Sequence, residues 1–503
     1  MAEQILKDLP YFAPEIALTI TLLVTVIADL IFRRSPMVVA AVAMVGLIAA
    51  GVLVLGQAGV QTSIFSNMLA VDPFAFYFKL VVLLTAILVT VFSLFSAELN
   101  TVGRSLGEYY SLLVGLTLGL FLLAGASNLL MVYLAIELSS LTSYVLSGYT
   151  REAPDSSEAS LKYVIYGALS SGLMLYGLSI LYGLTGSLNM YVINQALPQV
   201  VAAGGASSFL LLIAGVLILA GFGYKISAVP FHYWAPDVYE GAPITITAYL
   251  SVASKAAGFA VLIRFFKVVF IDLASAPGSG GTWATLRGVD WISLVVVLSI
   301  LTMTIGNLIA IWQSNLKRLL AYSSIAHAGY MLMGVVVLSN DGVTAILVYF
   351  VIYLFMNLGA FYCVMLIANK IGSEDIEDYR GLGARAPFLT VALAIFLISL
   401  TGLPPTAGFI GKLYLFAALI NHGWIWLAVV GAINSVISLY YYVRILRNMY
   451  LQTSDQPAGV PLQFGSMQMA AVLVLLVPTL VLGVYFSPLV QLAQASVKIF
   501  GTP

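Results

Sequence analysis

Fourteen times along this chain, an apolar run long enough to cross ~30 Å of hydrocarbon is followed by a short polar connection. The runs lie near 13–32, 37–56, 73–96, 109–125, 128–149, 159–184, 208–228, 243–266, 290–314, 316–338, 342–369, 387–420, 424–447 and 466–489. Of 503 residues, 61% are hydrophobic and 8% charged, against about 25% charged in a soluble domain. So few charges cannot cover a water-soluble surface, and most of the exterior must face lipid. No connection is long enough for a separate soluble domain. The expected fold is all-α, one polytopic bundle of about fourteen transmembrane helices. The start, MAEQILKDLPYFAPE, has balanced charge and no basic leader, so 13–32 reads as a first span, not a cleaved signal.

Loop cations orient the bundle. Arg33, Arg34, Arg104, Arg151, Lys317, Arg318, Lys370, Arg380, Arg385, Arg444 and Arg447 fall on one set of alternate loops and helix ends. Lys7, Arg264, Lys267, Arg287 and Lys498 fall on the other, with both tails. Eleven against five places both tails outside. A net charge of zero gives no reason to expect a nucleic-acid partner.

Two spans look broken. The seventh runs into GYKISAVPFHYWAPDVYEGAP, with Pro230, Pro236 and Pro243, and the twelfth holds SLTGLPPTAGFIGK, with Gly402, Pro404, Pro405 and Gly408. Such breaks at membrane depth persist only where protein or a water-filled cavity satisfies the freed backbone. They lie five spans apart. Two five-helix units, spans 4–8 and 9–13, would therefore sit in opposite orientations, as in transport folds. Two unrelated proline kinks are the plainer alternative.

Ionisable side chains inside the runs cost ~2.5–3.5 kcal/mol each. The candidates are Glu137, Lys162, Lys225, Lys255, Lys412, His232 and His327. Tyr133, Glu137, Ser140 and Tyr144 share one helix face, as do Thr247, Ser251 and Lys255, and likewise Ser323, His327 and Tyr330. Lys162 is nearer its helix start, where snorkelling to the interface is the alternative. His232 serves equally as a relay or as a cap on loosened backbone. Burial weakens a lysine's hold on its proton and a nearby carboxylate restores it, so a lysine between the two effects can load and release. Glu137 and Lys162, on neighbouring spans, are the expected pair, with Lys225, Lys255 and Lys412 extending the line.

Other chemistries lack their residues. H-E-x-x-H, the P-loop and G-x-S-x-G are missing, and Cys363 is the one cysteine. Gly381, Gly383 and Ala386 spell G-x-G-x-x-A in a charged loop with no strand before it. His232 and His422 sit at a loop and a span end, poorly placed to ligate haem.

The stretches 225–243, 252–266, 316–334 and 402–419 (KISAVPFHYWAPDVYEGAP, VASKAAGFAVLIRFF, LKRLLAYSSIAHAGYMLMG and GLPPTAGFIGKLYLFAAL) resemble the antiporter-like, proton-conducting membrane subunits of respiratory complex I, the NADH-quinone oxidoreductases. The resemblance covers roughly spans 4–13. It implies proton translocation along a hydrophilic midplane axis, with Glu137, Lys162, Lys225, Lys255, Lys412, His232 and His327 at the family's functional positions. It also implies an N-terminal three-helix segment (1–108), repeats at 109–266 and 290–450, and a C-terminal helix within 451–503. No cofactor is expected on this chain. Quinone, iron–sulfur clusters and FMN or another donor site would sit on partner subunits, among other membrane subunits in a bacterial inner membrane, or in a thylakoid or organellar one. Lysine at 412 and a short tail set the chain apart from siblings with a glutamate there or a long lateral helix. The competing reading is a subunit of a multi-subunit cation/proton antiporter without redox partners.

Overall fold

Hydrocarbon offers no water to take a backbone hydrogen bond, so a chain this apolar must close its own, and helices do so within each segment. A computed structural model describes residues 2–32, 35–100, 106–272, 281–286, 290–452 and 461–502. Among the described residues, thirteen helices are long and apolar enough to cross a membrane. They are Glu3–Ile31, Pro36–Leu55, Pro73–Ser93, Gly107–Gly125, Leu129–Ser147, Pro154–Thr185, Gly205–Ile226, Ile244–Phe270, Trp291–Ala310, Leu316–Val336, Asn340–Ile371, Ile425–Leu451 and Ser466–Val484. One more crossing comes in two pieces, Pro387–Thr401 and Ala407–Asn421. Each piece covers only ~22 Å, too little to span alone. Numbered in chain order, the two-piece crossing is span twelve of fourteen. Side chains of Asp72, Asn128, Asn315 and Ser339 cap the helices that follow them.

The connections sort into two faces. On one, Arg318 reaches Glu240, Ile376 N–H donates to Ser314, Asn369 donates to Phe95, and Leu462 N–H donates to Arg385. On the other, Ser127 N–H donates to Met68, Met190 to Ser127, Trp283 to Leu338, and Phe500 to Asp72. Each tie joins loops of the same parity, as alternation across a membrane requires. Arg33, Arg34, Arg104 and Arg287 lie outside the described residues. Arg264 and Lys267 are not loop cations as expected; both are buried inside span eight. Removing them from the outer count sharpens the charge asymmetry.

Spans 4–8 and 9–13 form the two inverted units. Spans six and eleven are 32 residues each, spans eight and thirteen 27 each, and spans seven and twelve are broken. The groups freed at the breaks find partners. Val229 N–H donates to Thr302 Oγ1 of span nine at 3.0 Å, and the Thr401 carbonyl accepts from Lys412 Nζ at 2.7 Å. At Gly402 the backbone turns with φ +89°, and a Cβ there would lie 2.7 Å from Lys412 Cδ. Glycine gives the chain both the positive φ and the room for that lysine.

Two elements fall outside the apolar pattern. Thr62–Ile64 and Leu69–Val71 form an antiparallel hairpin, and Met190–Ala202 is a short helix between spans six and seven. The hairpin turn places Phe65, Ser66 and Asn67 at positive φ without the usual Asn-Gly signature, and three-residue strands are too short for periodicity to show.

Candidate functional site

Depth comes first. At 1.5 Å per residue from the nearer helix end, Glu137 lies ~12 Å in, Lys255 ~16 Å and His327 ~14 Å; Lys412 lies ~14 Å from Asn421, the end of its half-helix away from the break. Half of a ~30 Å hydrocarbon core is the same distance. Four groups on four helices thus share the midplane.

Their partners form a lateral file. Lys225, at the end of the first half of span seven, donates to Ser139 Oγ at 2.8 Å and Ser140 Oγ at 3.3 Å. Glu137, one turn before those serines, lies within electrostatic reach of Lys225. Its neighbours on the same face are Tyr133 and Tyr144. Lys255 donates to the carbonyl and hydroxyl of Ser324, at 2.8 and 2.9 Å. One turn on from Ser324, His327 holds Tyr349 OH at Nδ1, 2.6 Å away, and feels both Lys255 and Lys412. Lys412 completes the file on Thr401 O and Ser435 Oγ (3.0 Å), with its ammonium 4.6 Å over the Tyr330 ring. His232 is buried beside Tyr233 and the Pro230 carbonyl and also feels Lys255. Two groups of links result: Glu137 with Lys225 in the first repeat, and Lys255, His327 and Lys412 running from the first repeat into the second, with His232 in electrostatic range of Lys255.

The backbone loosens where the file crosses between repeats. Leu250–Ser254 is a π-turn immediately before Lys255, and such turns are frequent at functional sites. Ser251 accepts from Asn357 of span eleven at 2.7 Å. Among the described residues, Glu137 Oε1, Ser227 Oγ, His232 Nδ1, Ser254 Oγ and Asn357 Oδ1 are buried without a protein hydrogen-bond partner. Leaving each dry costs about 1–3 kcal/mol, so these atoms favour water along the file.

Lys162 is elsewhere. Its Nζ sits 2.6 Å from Asp237 and 2.8 Å from Glu158, not on Glu137 as expected. Its side chain is 37% exposed, and it lines an open cavity of about 190 Å³ with Asp155, Asp237, Glu240 and Arg318. Span six is ~48 Å long at 1.5 Å per residue, so it overhangs the hydrocarbon and brings Lys162 to the boundary. Sequence proximity of two spans does not fix which faces meet. Arg318 bridges Asp237 and Glu240 at 2.8 and 2.6 Å on the same rim. Nearby, Glu98 accepts from Ile244 N–H at the start of span eight; burial pushes its carboxyl up and Lys317 pulls it back.

Two buried ion pairs were missed in the sequence. Lys79 and Glu15 meet at 2.5 Å with both side chains 3% exposed. Arg264 grips Asp72 with two bonds, 2.6 and 2.9 Å, and Asp72 also accepts from Ala75 and Phe500 N–H. Burial opposes the Asp72 charge, yet Arg264 and these N–H groups hold its carboxyl below the ordinary value. The signals were present: a lysine inside PFAFYFKLVVLL and an aspartate before Pro73.

The pattern of the family described as "NADH:quinone oxidoreductase/Mrp antiporter, TM" matches residues 126–438. NADH-quinone oxidoreductase subunit N 2 of Chloroherpeton thalassium is 50% identical, over 97% of this chain and 94% of its own length. Subunit N of Chlorobium chlorochromatii is 47% identical over 98% and 95%. A chain of respiratory complex I from Thermus thermophilus superposes with TM-score 0.76 at 30% identity, covering 96% of this chain and 99% of that one. A chain of the Mrp complex from Dietzia shares the fold, with TM-score 0.79 at 22% identity over 96% of both. With its two broken spans and its midplane lysines, this chain belongs to the family of antiporter-like membrane subunits of NADH:quinone oxidoreductases and Mrp antiporters, on the subunit N branch.

Proposed function

We propose that this chain translocates protons across a bacterial energy-transducing membrane as one membrane subunit of a complex I-type NADH (or other donor):quinone oxidoreductase. The observation that carries the reading is the file itself. Glu137, Lys255, His327 and Lys412 share one depth; Lys225 lies on the serines next to Glu137, and His327 lies in electrostatic range of both Lys255 and Lys412. Buried lysines this costly are kept where they move charge.

Glu137 is the switch at one end. With the carboxylate close, ammonium on Lys225 is favoured; as it withdraws, the proton passes toward His232 and Lys255. Lys255 hands on to His327, whose Nδ1 is engaged by Tyr349 OH, leaving the other ring nitrogen for the transfer to Lys412. Water bridges the remaining steps. Lys162, with Asp237 and Arg318, forms a charged mouth on the arginine-rich face and is not a member of the file. Residues 109–266 and 290–450 are the two working halves, 1–108 and 451–503 their flanking supports.

Redox chemistry belongs to partners in this reading. An iron–sulfur cluster takes four thiolates or their His substitutes, and one cysteine does not fit that need. The cation/proton antiporter reading shares the fold, but the relatives at 50 and 47% identity carry the oxidoreductase name. Gentle purification followed by mass spectrometry of the companions decides between them. The expected result is co-purification of iron–sulfur and quinone-binding subunits; a set of antiporter subunits alone would overturn it.

A further inference from the structure

Span thirteen ends on the arginine-rich face with an arrangement that the proton file does not use. Val436, Leu439, Tyr440, Val443, Arg444 and Arg447 share one helix face and line an open groove of about 400 Å³. Depth along this helix is fixed by Ser435, which accepts from Lys412 at the midplane. Arg444 is nine residues further on and Arg447 twelve, so they stand ~14 and ~18 Å from the midplane. The hydrocarbon ends at ~15 Å. Both guanidinium groups are therefore at headgroup level, while Val436, Leu439, Tyr440 and Val443 lie at the depth of acyl chains.

Charge gives the occupant's chemistry. Several other cations on this face are neutralised: Arg318 by Asp237 and Glu240, Lys162 by Asp237 and Glu158, Lys317 by Glu374. Among the described residues, Arg444 and Arg447 have no carboxylate partner. Arg444 is held in place by the carbonyls of Ile311 (2.8 Å) and Gln313, and its buried Nε has no partner. Arg447 is exposed. Trp312, between those two carbonyl residues, is 84% exposed, as suits an indole in the interfacial belt. We propose that this groove binds an anionic phospholipid, its phosphate between Arg444 and Arg447 and an acyl chain along Val436 and Val443.

The test uses the intact complex purified from membranes and returned to nanodiscs of phosphatidylcholine with one-fifth phosphatidylglycerol. Native mass spectrometry counts retained lipid, and a photo-crosslinking residue at position 443 identifies what lies in the groove. The expected results are a phosphatidylglycerol adduct at 443 and retention about fivefold weaker in Arg447→Gln. Arg444→Gln should behave alike, but Arg447 is exposed and has no hydrogen-bond or ion-pair partner among the described residues, and so separates lipid binding from folding. A crosslink to a polypeptide, or equal phosphatidylglycerol retention in Arg447→Gln, would overturn the proposal.

Discussion

Replacing Lys225 by Ala, or Glu137 by Gln, is expected to lower donor-driven proton pumping by the assembled complex about tenfold or more, the scale of a lost positioned proton donor. Lys162→Ala is expected to change it less than about twofold. The contrast follows from where the three side chains lie. Lys225 is buried on Ser139 and Ser140 with Glu137 in electrostatic reach, so removing either one takes a step out of the file. Lys162 is one of two cations on Asp237 at a water-accessible rim, and Arg318 remains on that carboxylate when it is removed. Partly exposed pairs of this kind contribute little. Pumping into proteoliposomes, normalised to the amount of complex, measures all three. A loss in Lys162→Ala as large as in Lys225→Ala would contradict the placement.

The second large effect is on stability. Asp72→Leu leaves the Arg264 guanidinium fully buried with the Ala124 carbonyl (3.3 Å), the Tyr191 hydroxyl and the Phe74 ring but without the carboxylate that offsets its charge. Breaking a buried pair from one side costs about 3–5 kcal/mol, whereas apolar replacement of both partners is often close to neutral. Asp72→Leu should therefore deplete the assembled complex and lower its thermal midpoint, and Asp72→Leu with Arg264→Met should recover most of both. The tail is involved as well, because Phe500 N–H donates to the same carboxylate. A double variant no better than the single one would show that the pair acts through something other than charge compensation.

Much of this was readable from the amino acids, for identifiable reasons. Spans are long and nearly free of charge, so their number and order follow from composition. The breaks at Pro230 and Pro405 announce themselves because proline and glycine act locally. Lys255 and Lys412 stood out because an ammonium at mid-span is costly and rare. The partner of Glu137 was not readable: choosing Lys225 over Lys162 depends on how spans five, six and seven rotate against one another, a tertiary matter. Arg264 was misplaced because a cation near a span's end looks like a loop residue until its partner, 192 positions away, is seen. The π-turn before Lys255 leaves no mark in the residues that form it.

Lys255 is where the two repeats meet, on Ser324 of the second from span eight of the first. The most direct measurement is therefore the proton-to-electron ratio of Lys255→Ala in a complex whose subunit composition has been verified. If protons travel along the midplane, pumping through this subunit stops, and the ratio falls while the remaining subunits stay assembled. An unchanged ratio in that assembled variant would mean that the buried lysines are structural and that protons cross elsewhere.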